Sequence, residues 1–500
     1  VAIRRYIANA DNTITKAFKS DLETRGTGSN MGLSDVSEAF TIYGQASATS
    51  MEVARILTQF PISSVSADRT SGAIPASGSV NFVLRMFNAK HSETLPKKFS
   101  LNVSAVKTAW EEGDGLDMEE YTDLTYDNTG SNWIKAASST SWTTEGGDFI
   151  SNVSSSFSAS FTTGIEDLEV DITPLVEQWM SSSANSPSAF DLGSISNYGV
   201  IVMFPTGSEA QTRSYYTKKF FARGTQFWFK RPVLEARWDS SKKDNAGSFY
   251  LSSSLATGPE NLNRIYLYNN IRGQLRNIPD IGTGNILVSV YSGSAGPTGG
   301  KIGFPIGGGV TTAGHNNITG SYVSTGIYSA SFAYTSSAIT KIYSVWHTGS
   351  DVDTTQYHTG SAIIVKTFDS ADYNPSPNYV TTITNLKQTY STDEEARFRL
   401  YVRQKDWNPT IYTKAKSDPE NLIIEDAYYR IIRTIDDLDV VVYGTGSLNH
   451  TRLSYDVSGN YFDLPISLLE NGYMYGIKLL YKLPNGFYKE QPNTFKLRVE

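Results

Sequence analysis

The chain has 500 residues, a formal net charge of −7, 19% charged residues and no cysteine. Roughly two to four domains are expected, because that length exceeds what one hydrophobic core serves. The weak acidic balance gives no general pull toward nucleic acid or an anionic membrane, and the missing thiols exclude disulfides, thiolate metal ligands and a cysteine nucleophile.

With 30 Tyr and 23 Phe beside abundant Ser, Thr, Asn and Gly, the composition favours sheets with hydroxyl-rich outer positions and aromatic cross-strand pairs. No apolar run approaches the roughly 18–20 residues that span a bilayer. The start, "VAIRRYIANADNT", has no apolar export region. A soluble chain made inside a cell is therefore expected.

The first region, 1–238, reads as strands joined by long polar loops. Val80, Phe82, Leu84 and Met86 alternate with Asn81, Val83 and Arg85, and Phe99, Leu101 and Val103 repeat the pattern, giving two half-buried strands. "SADRTSGAIPASGS", 66–79, reads as a loop from its Gly, Pro and Ser. The Ser/Thr-rich stretch 136–161 fits either a surface loop or an edge hairpin. After the alternating Leu168, Val170 and Ile172, Thr173-Pro174 starts one short helix with Leu175, Val176, Trp179 and Met180 on one face, placed to cap the sandwich. Residues 198–204 are apolar almost throughout, as in a strand covered on both faces. Leu234, Ala236 and Trp238 alternate with Glu235 and Arg237 in a closing strand.

"DSSKKDNAGS", 239–248, is polar and reads as a flexible boundary. Region 239–375 carries strand patterns at "RIYLYNN", "NILVSVYSG", "YSASFAY" and "KIYSVWH"; "DSADYNPSPN", 369–378, marks the next boundary. Region 376–500 carries "RFRLYVR", "DVVVYG" and the hairpin "GIKLLYKLPNGFYKE", where Asn485-Gly486 is expected to supply positive φ angles. The expected fold is all-β: an N-terminal jelly-roll sandwich followed by two smaller sandwich modules of immunoglobulin or fibronectin type. No internal repeat suggests a solenoid or propeller.

Motifs that carry chemistry are sparse. The histidines, His91, His315, His347, His358 and His450, show no metal-ligand spacing. GxSxG, GxGxxG and P-loop patterns do not occur, and the Gly-rich stretch 293–309 lacks a strand-to-helix context, so it reads as a hairpin or contact loop. Glu111, Glu112, Asp114, Asp117, Glu119 and Glu120 form an acidic group without EF-hand spacing, so a solvated loop is favoured over a calcium site. No cofactor is implied. The segment 213–231 carries Arg213, Lys218, Lys219, Arg223, Lys230 and Arg231 without one acid, interleaved with aromatics. Such a pattern suits single-stranded nucleic acid or sugar, but paired strands with cations held against an acidic neighbour are the plainer reading, and these six residues form a candidate contact stripe.

In chain order, "NADNTI", "GSNMG", "ARILTQF", "AWEEGDG", "LEVDITPLVEQW", "NYGVIVMF" and "RPVLEARW" resemble the DNRLRE-type β-sandwich domain, a jelly-roll relative of carbohydrate-binding modules. The likeness covers about residues 1–238. It implies a non-catalytic adhesion or structural module. "YVRQKDWNPT", 401–410, and the terminal "NTFKLRVE" resemble the Tyr/Ser/Asn-rich modules of tailed-bacteriophage virion proteins. Together these imply a non-enzymatic virion component at the neck, tail or fibre-attachment region. It would assemble in the host cytoplasm as a homo-oligomer with other virion proteins, without membrane or nucleic-acid partners. The alternatives are a carbohydrate-binding adhesin that recognises a host glycan and a tail depolymerase acting through Glu111 and Glu112.

Overall fold

Short strands with alternating apolar side chains bury one face each, and they do so most simply by closing as paired sheets. A computed structural model describes residues 2–91, 96–116, 129–152, 155–181, 195–253, 261–303, 317–349, 355–368, 373–406 and 421–500. The protein is all-β and divides into two units, 2–239 and 240–500.

In chain order the first unit contains β1 (Ile3–Ile7), β2 (Ala10–Thr15), β3 (Val36–Tyr43), β4 (Met51–Gln59), α1 (Ile62–Ser71), β5 (Asn81–Met86) and β6 (Phe99–Ala105). It continues with β7 (Lys135–Ala137), β8 (Thr140–Ser141), β9 (Ser156–Phe161), β10 (Leu168–Asp171) and α2 (Thr173–Met180). It ends with β11 (Val200–Met203), α3 (Thr206–Glu209), β12 (Tyr215–Phe221) and β13 (Val233–Arg237). A four-stranded sheet in the order β1-β13-β5-β10 faces a larger sheet in the order β12-β3-β4-β11-β6-β9, to which β2 adds by pairing with β4. This is a jelly-roll-like sandwich. Its core takes Phe82, Leu84, Met86, Leu168, Val170 and Leu234 from the smaller sheet and Ile56, Leu101, Val103, Val200, Val202 and Phe220 from the larger. Phe99 stacks on Phe161 with centroids 4.7 Å apart inside it.

A second apolar layer lies on the other face of the larger sheet. There Ile14, Val53, Leu57 and Ile201 pack with Val106, Trp133, Ala136 and Trp142, which belong to the excursion between β6 and β9. Residues 198–204 are thus covered on both faces, as their composition implies. The Ser/Thr-rich stretch 136–161 resolves into the β7–β8 hairpin and the edge strand β9.

The helices differ from expectation in number: among the described residues the first unit has three, not one. α2 lies where Thr173-Pro174 predicts it and buries Leu175, Val176 and Trp179. α1 occupies the first half of the expected loop 66–79 and is hard to see in sequence, because Ile62 and Val65 are its buried residues and the rest is polar. Gly72 ends it at φ +77°, where its N–H reaches the last carbonyls. Arg69 ties it to α2 through two hydrogen bonds of 2.7 Å to Glu177.

The outward positions of the smaller sheet are also not what alternation implies. Arg85, Glu235 and Arg237 are each 1% exposed. Glu235 accepts from Arg5 Nε at 2.9 Å, from Arg237 Nε at 2.9 Å and Arg237 Nη2 at 2.6 Å, and from Arg85 Nη1 at 3.3 Å. Glu169 on β10 accepts from Arg237 Nη1 at 2.6 Å. Burial alone would raise the Glu235 carboxyl. Arg5, Arg85 and Arg237 overcome that and hold it well below the usual carboxylate range.

The second unit begins with one eight-stranded sheet, curled around Phe249, Ile265, Val288, Tyr328, Phe332 and Trp346. Its strands include Asn263–Tyr268, Ile286–Tyr291, Ile327–Phe332 and Lys341–Thr348, each of the four predicted patterns. A two-sheet sandwich follows. One sheet contains Tyr379–Ile383, Glu395–Gln404 and Gly459–Pro465, the other Ala427–Arg433, Met474–Lys482 and Phe495–Val499. Phe462 stacks between Phe398 at 5.0 Å and Tyr429 at 4.2 Å.

Two local readings are corrected. Residues 240–248 are not a free linker: Asp244 is buried, its N–H and Asn245 Nδ2 reach the carbonyl and hydroxyl of Tyr455, and strand backbone satisfies the polar chain. In the 474–490 hairpin Gly486 takes a positive φ of +85°, while Asn485 uses its side chain to accept from Phe487 N at 3.0 Å. No described helix is long and apolar enough to cross a membrane.

Replacing Glu235 by Gln leaves three guanidiniums facing one another with only the more open Glu169 as counter-charge. The E235Q variant is expected to lose about 3–5 kcal/mol of first-unit stability, whereas Glu169→Gln, at a more open position, costs less than about 1 kcal/mol. Because the folded Glu235 carboxyl lies below its unfolded value, the wild-type contribution is present at neutral pH and fades as pH falls below about 4. Urea unfolding of both variants from pH 3 to 7 checks this; equal effects at the two sites would contradict it.

Candidate functional site

The quoted motifs of the first 115 residues converge on one place. Asn12 on β2 donates to Ser131 O at 2.9 Å and Ser131 Oγ at 2.8 Å, and its Oδ1 accepts from Met31 N at 2.9 Å. Asn30, centre of "GSNMG", donates to Thr129 O at 3.0 Å and accepts from Gly115 N at 2.9 Å. The chain crosses itself so closely here that a Cβ on Gly32 would lie 2.1 Å from Gly113 O and one on Gly113 would lie 2.0 Å from Asn30 Oδ1. These glycines are needed for close approach. Arg55 on β4 forks onto Glu209 with bonds of 3.1 and 2.6 Å while its guanidinium sits 5.1 Å from the Trp133 ring. The motifs therefore lock the β6–β9 excursion onto the larger sheet.

Asp11 is the buried acid of this knot. Its Oδ2 accepts from the Arg223 backbone N–H at 2.5 Å and its own N–H donates to Glu112 Oε1 at 2.9 Å, while Oδ1 is buried without a hydrogen-bond partner. Burial, reinforced by Glu112, pushes its carboxyl up to about 7 against the pull of Arg223 and Arg231.

The six cations of the candidate stripe go to separate destinations. Arg213 is exposed before β12. Lys218 is fully buried, with Nζ donating to Asn88, Gly164 and Glu166. Lys219 pairs with Glu38 at 2.8 Å. Arg223 forks onto Glu112 at 3.1 and 2.6 Å. Lys230 lies 5.1 Å from the Phe221 ring and 5.6 Å from that of Phe227, and Arg231 donates twice to Thr225 O. Besides Arg213, the segment exposes three aromatic side chains: Tyr216 is 60% exposed, Phe227 45% and Trp228 47%. Trp228 and Phe229 wall a shallow cavity of about 230 Å³ over Ile7, Phe87 and Val233, with Arg5 and Arg231 on its lining.

No protein-family model matches the chain, and no curated protein matches its sequence.

The other singled-out residues have local roles. Glu111 accepts from Ser138 N at 3.0 Å and Ser138 Oγ at 2.9 Å, so it and Glu112 hold different partners. Asp117, Glu119, Glu120, His315 and part of the Gly-rich stretch lie outside the described residues. His347 is buried and shares a 2.7 Å hydrogen bond with Ser289 Oγ. Among the described residues no three His, Cys, Asp or Glu gather to hold a metal ion. The exposed Trp228 was not singled out from sequence; "TQFWFKR", an aromatic run within a basic segment and before a proline, is the signal that marks it.

The raised Asp11 carboxyl makes the folded state take up a proton that the unfolded chain releases. Its contribution is thus fully present below about pH 4 and is lost as pH rises toward 7. Asp11→Asn keeps an acceptor for Arg223 N–H and removes that loss. The stability of D11N relative to wild type is expected to rise between pH 5 and pH 8 in urea unfolding. An unchanged difference would contradict the assignment.

Proposed function

We propose that this chain is a non-enzymatic structural protein of a tailed-phage virion, at the neck, tail or fibre-attachment region, which assembles as a homo-oligomer and with other virion proteins. The observation that carries the reading is the set of exposed aromatic side chains Tyr216, Phe227 and Trp228, borne on a sandwich whose cations Lys219 and Arg223 are already engaged. Rigid aromatic surface is what protein interfaces use most effectively, because large rings gain contact area at little entropic cost. The second unit adds Phe368 and Phe487, 71% and 72% exposed. The DNRLRE-type resemblance and the virion-like motifs of the C-terminal half support the same reading.

Quantitative mass spectrometry of purified particles is expected to find the protein in a fixed copy number. Its absence from mature particles would overturn the proposal. Within that reading Trp228→Ala is expected to weaken incorporation about 30-fold or more, the effect of losing about 2 kcal/mol at an interface anchor, while Lys219→Ala leaves it nearly unchanged.

A second reading is favoured by the Trp228 cavity: a flat exposed ring beside two guanidiniums is a surface on which a sugar of a host glycan stacks. A glycan array probed with the assembled protein separates the two. Binding lost in Trp228→Ala supports the adhesin, and uniform non-binding removes it.

A further inference from the structure

The sandwich contains a buried Lys–Asn pair whose geometry suits covalent chemistry. Lys218 Nζ donates to Asn88 Oδ1 at 2.5 Å, Glu166 O at 2.8 Å and Gly164 O at 3.1 Å, and the rings of Phe161 and Phe220 each have their centroids 5.1 Å away. Lys218 is 0% exposed. It lies on β12, at one end of the larger sheet, whereas Asn88 follows β5 of the smaller sheet and bridges to Phe220. The two side chains therefore meet where the sheets come together.

We propose that Lys218 and Asn88 join through an intramolecular amide bond, a covalent staple between the two sheets. The carbonyls of Gly164 and Glu166 and Asn88 Oδ1 accept the N–H bonds of Lys218, which holds Nζ against the Asn88 carboxamide. Once the amine is neutral, a turn of that amide presents Cγ to the nitrogen lone pair. Burial lowers the ammonium to about 8, with Asp167 and Glu166 opposing. About a tenth of the side chains are then neutral at pH 7.

Nζ attacks Asn88 Cγ, forming the C–N bond and a tetrahedral intermediate. A proton passes from the attacking nitrogen to the carboxamide nitrogen, the Cγ–Nδ2 bond breaks, and ammonia leaves. No oxidant or reductant is required. Asp167, whose carboxylate accepts from the Asn88 backbone N–H at 2.8 Å, stands beside the pair and opposes the lowering of the Lys218 ammonium. The held approach of amine and carboxamide supplies the effective concentration that free side chains lack. In a chain without cysteine such a bond supplies the cross-link that a disulfide cannot.

Intact-mass measurement of the purified full chain tests this directly. The expected mass is about 17 Da below that of the sequence, the mass of one ammonia. Tryptic digestion is expected to yield a branched peptide joining 86–90 to 214–219, because Lys218 is no longer a cleavage site. Asn88→Ala and Lys218→Arg are each expected to restore the unlinked mass. A wild-type mass equal to the sequence, or a loss of ammonia with the two peptides separate, would overturn the proposal whether or not the variants fold.

Discussion

A carboxylate almost without access to water, Glu235, faces three guanidiniums on the back of the smaller sheet, and the register of that sheet depends on it. Desolvating four charged groups is costly, and their attraction offsets the cost only while every hydrogen bond is made. β13 is flanked by β1 and β5, with Glu235 opposite Arg5 and Val83. A one-residue slip would turn Glu235 into the apolar core and Leu234 out of it. Ionic side chains here specify alignment more than they add stability.

The larger sheet uses a related device. Its outer face is covered by an excursion that polar contacts hold down: Arg55 with Gly146, Asn12 with Ser131, Asn30 with Thr129 and Gly115. Trp133 and Trp142 then fill the space beneath. Each sheet thus carries an apolar face and a second face secured by buried polar groups, an arrangement suited to a chain without disulfides.

Strand positions and fold class were legible because their signal is local. Phe82, Leu84 and Met86 alternate, 198–204 is continuously apolar, and Pro174 opens α2. α1 was not legible, since its polar residues favour turns and the contacts that hold it, Tyr6 to Asp68 and Arg69 to Glu177, come from distant parts of the chain. Nor was the dryness of Arg85 and Arg237. In one strand each reads as an outward cation; Glu235 stands two residues from Arg237, but its pairing with Arg85 appears only when β5 is aligned beside β13. The partners of the basic segment are invisible for the same reason: Glu38 and Glu112, which hold Lys219 and Arg223 as the plainer reading expects, and the Glu166 carbonyl that holds Lys218 lie far away in sequence. Tyr216, Phe227 and Trp228, with Arg213, are among the side chains the fold leaves facing outward.

On the reading proposed above, such a surface is borne on a frame that does not open locally. The frame here is the first unit with both backs locked, so the excursion should share the stability of the strands beneath it. Native-state hydrogen exchange tests this most directly. The amides of Gly115, Ser131 and Trp133, which donate to Asn30, Glu111 and Thr27, are predicted to exchange through the same global opening as those of β4 and β11. Exchange of these amides through a small local opening, orders of magnitude faster than the strand amides, would contradict the account.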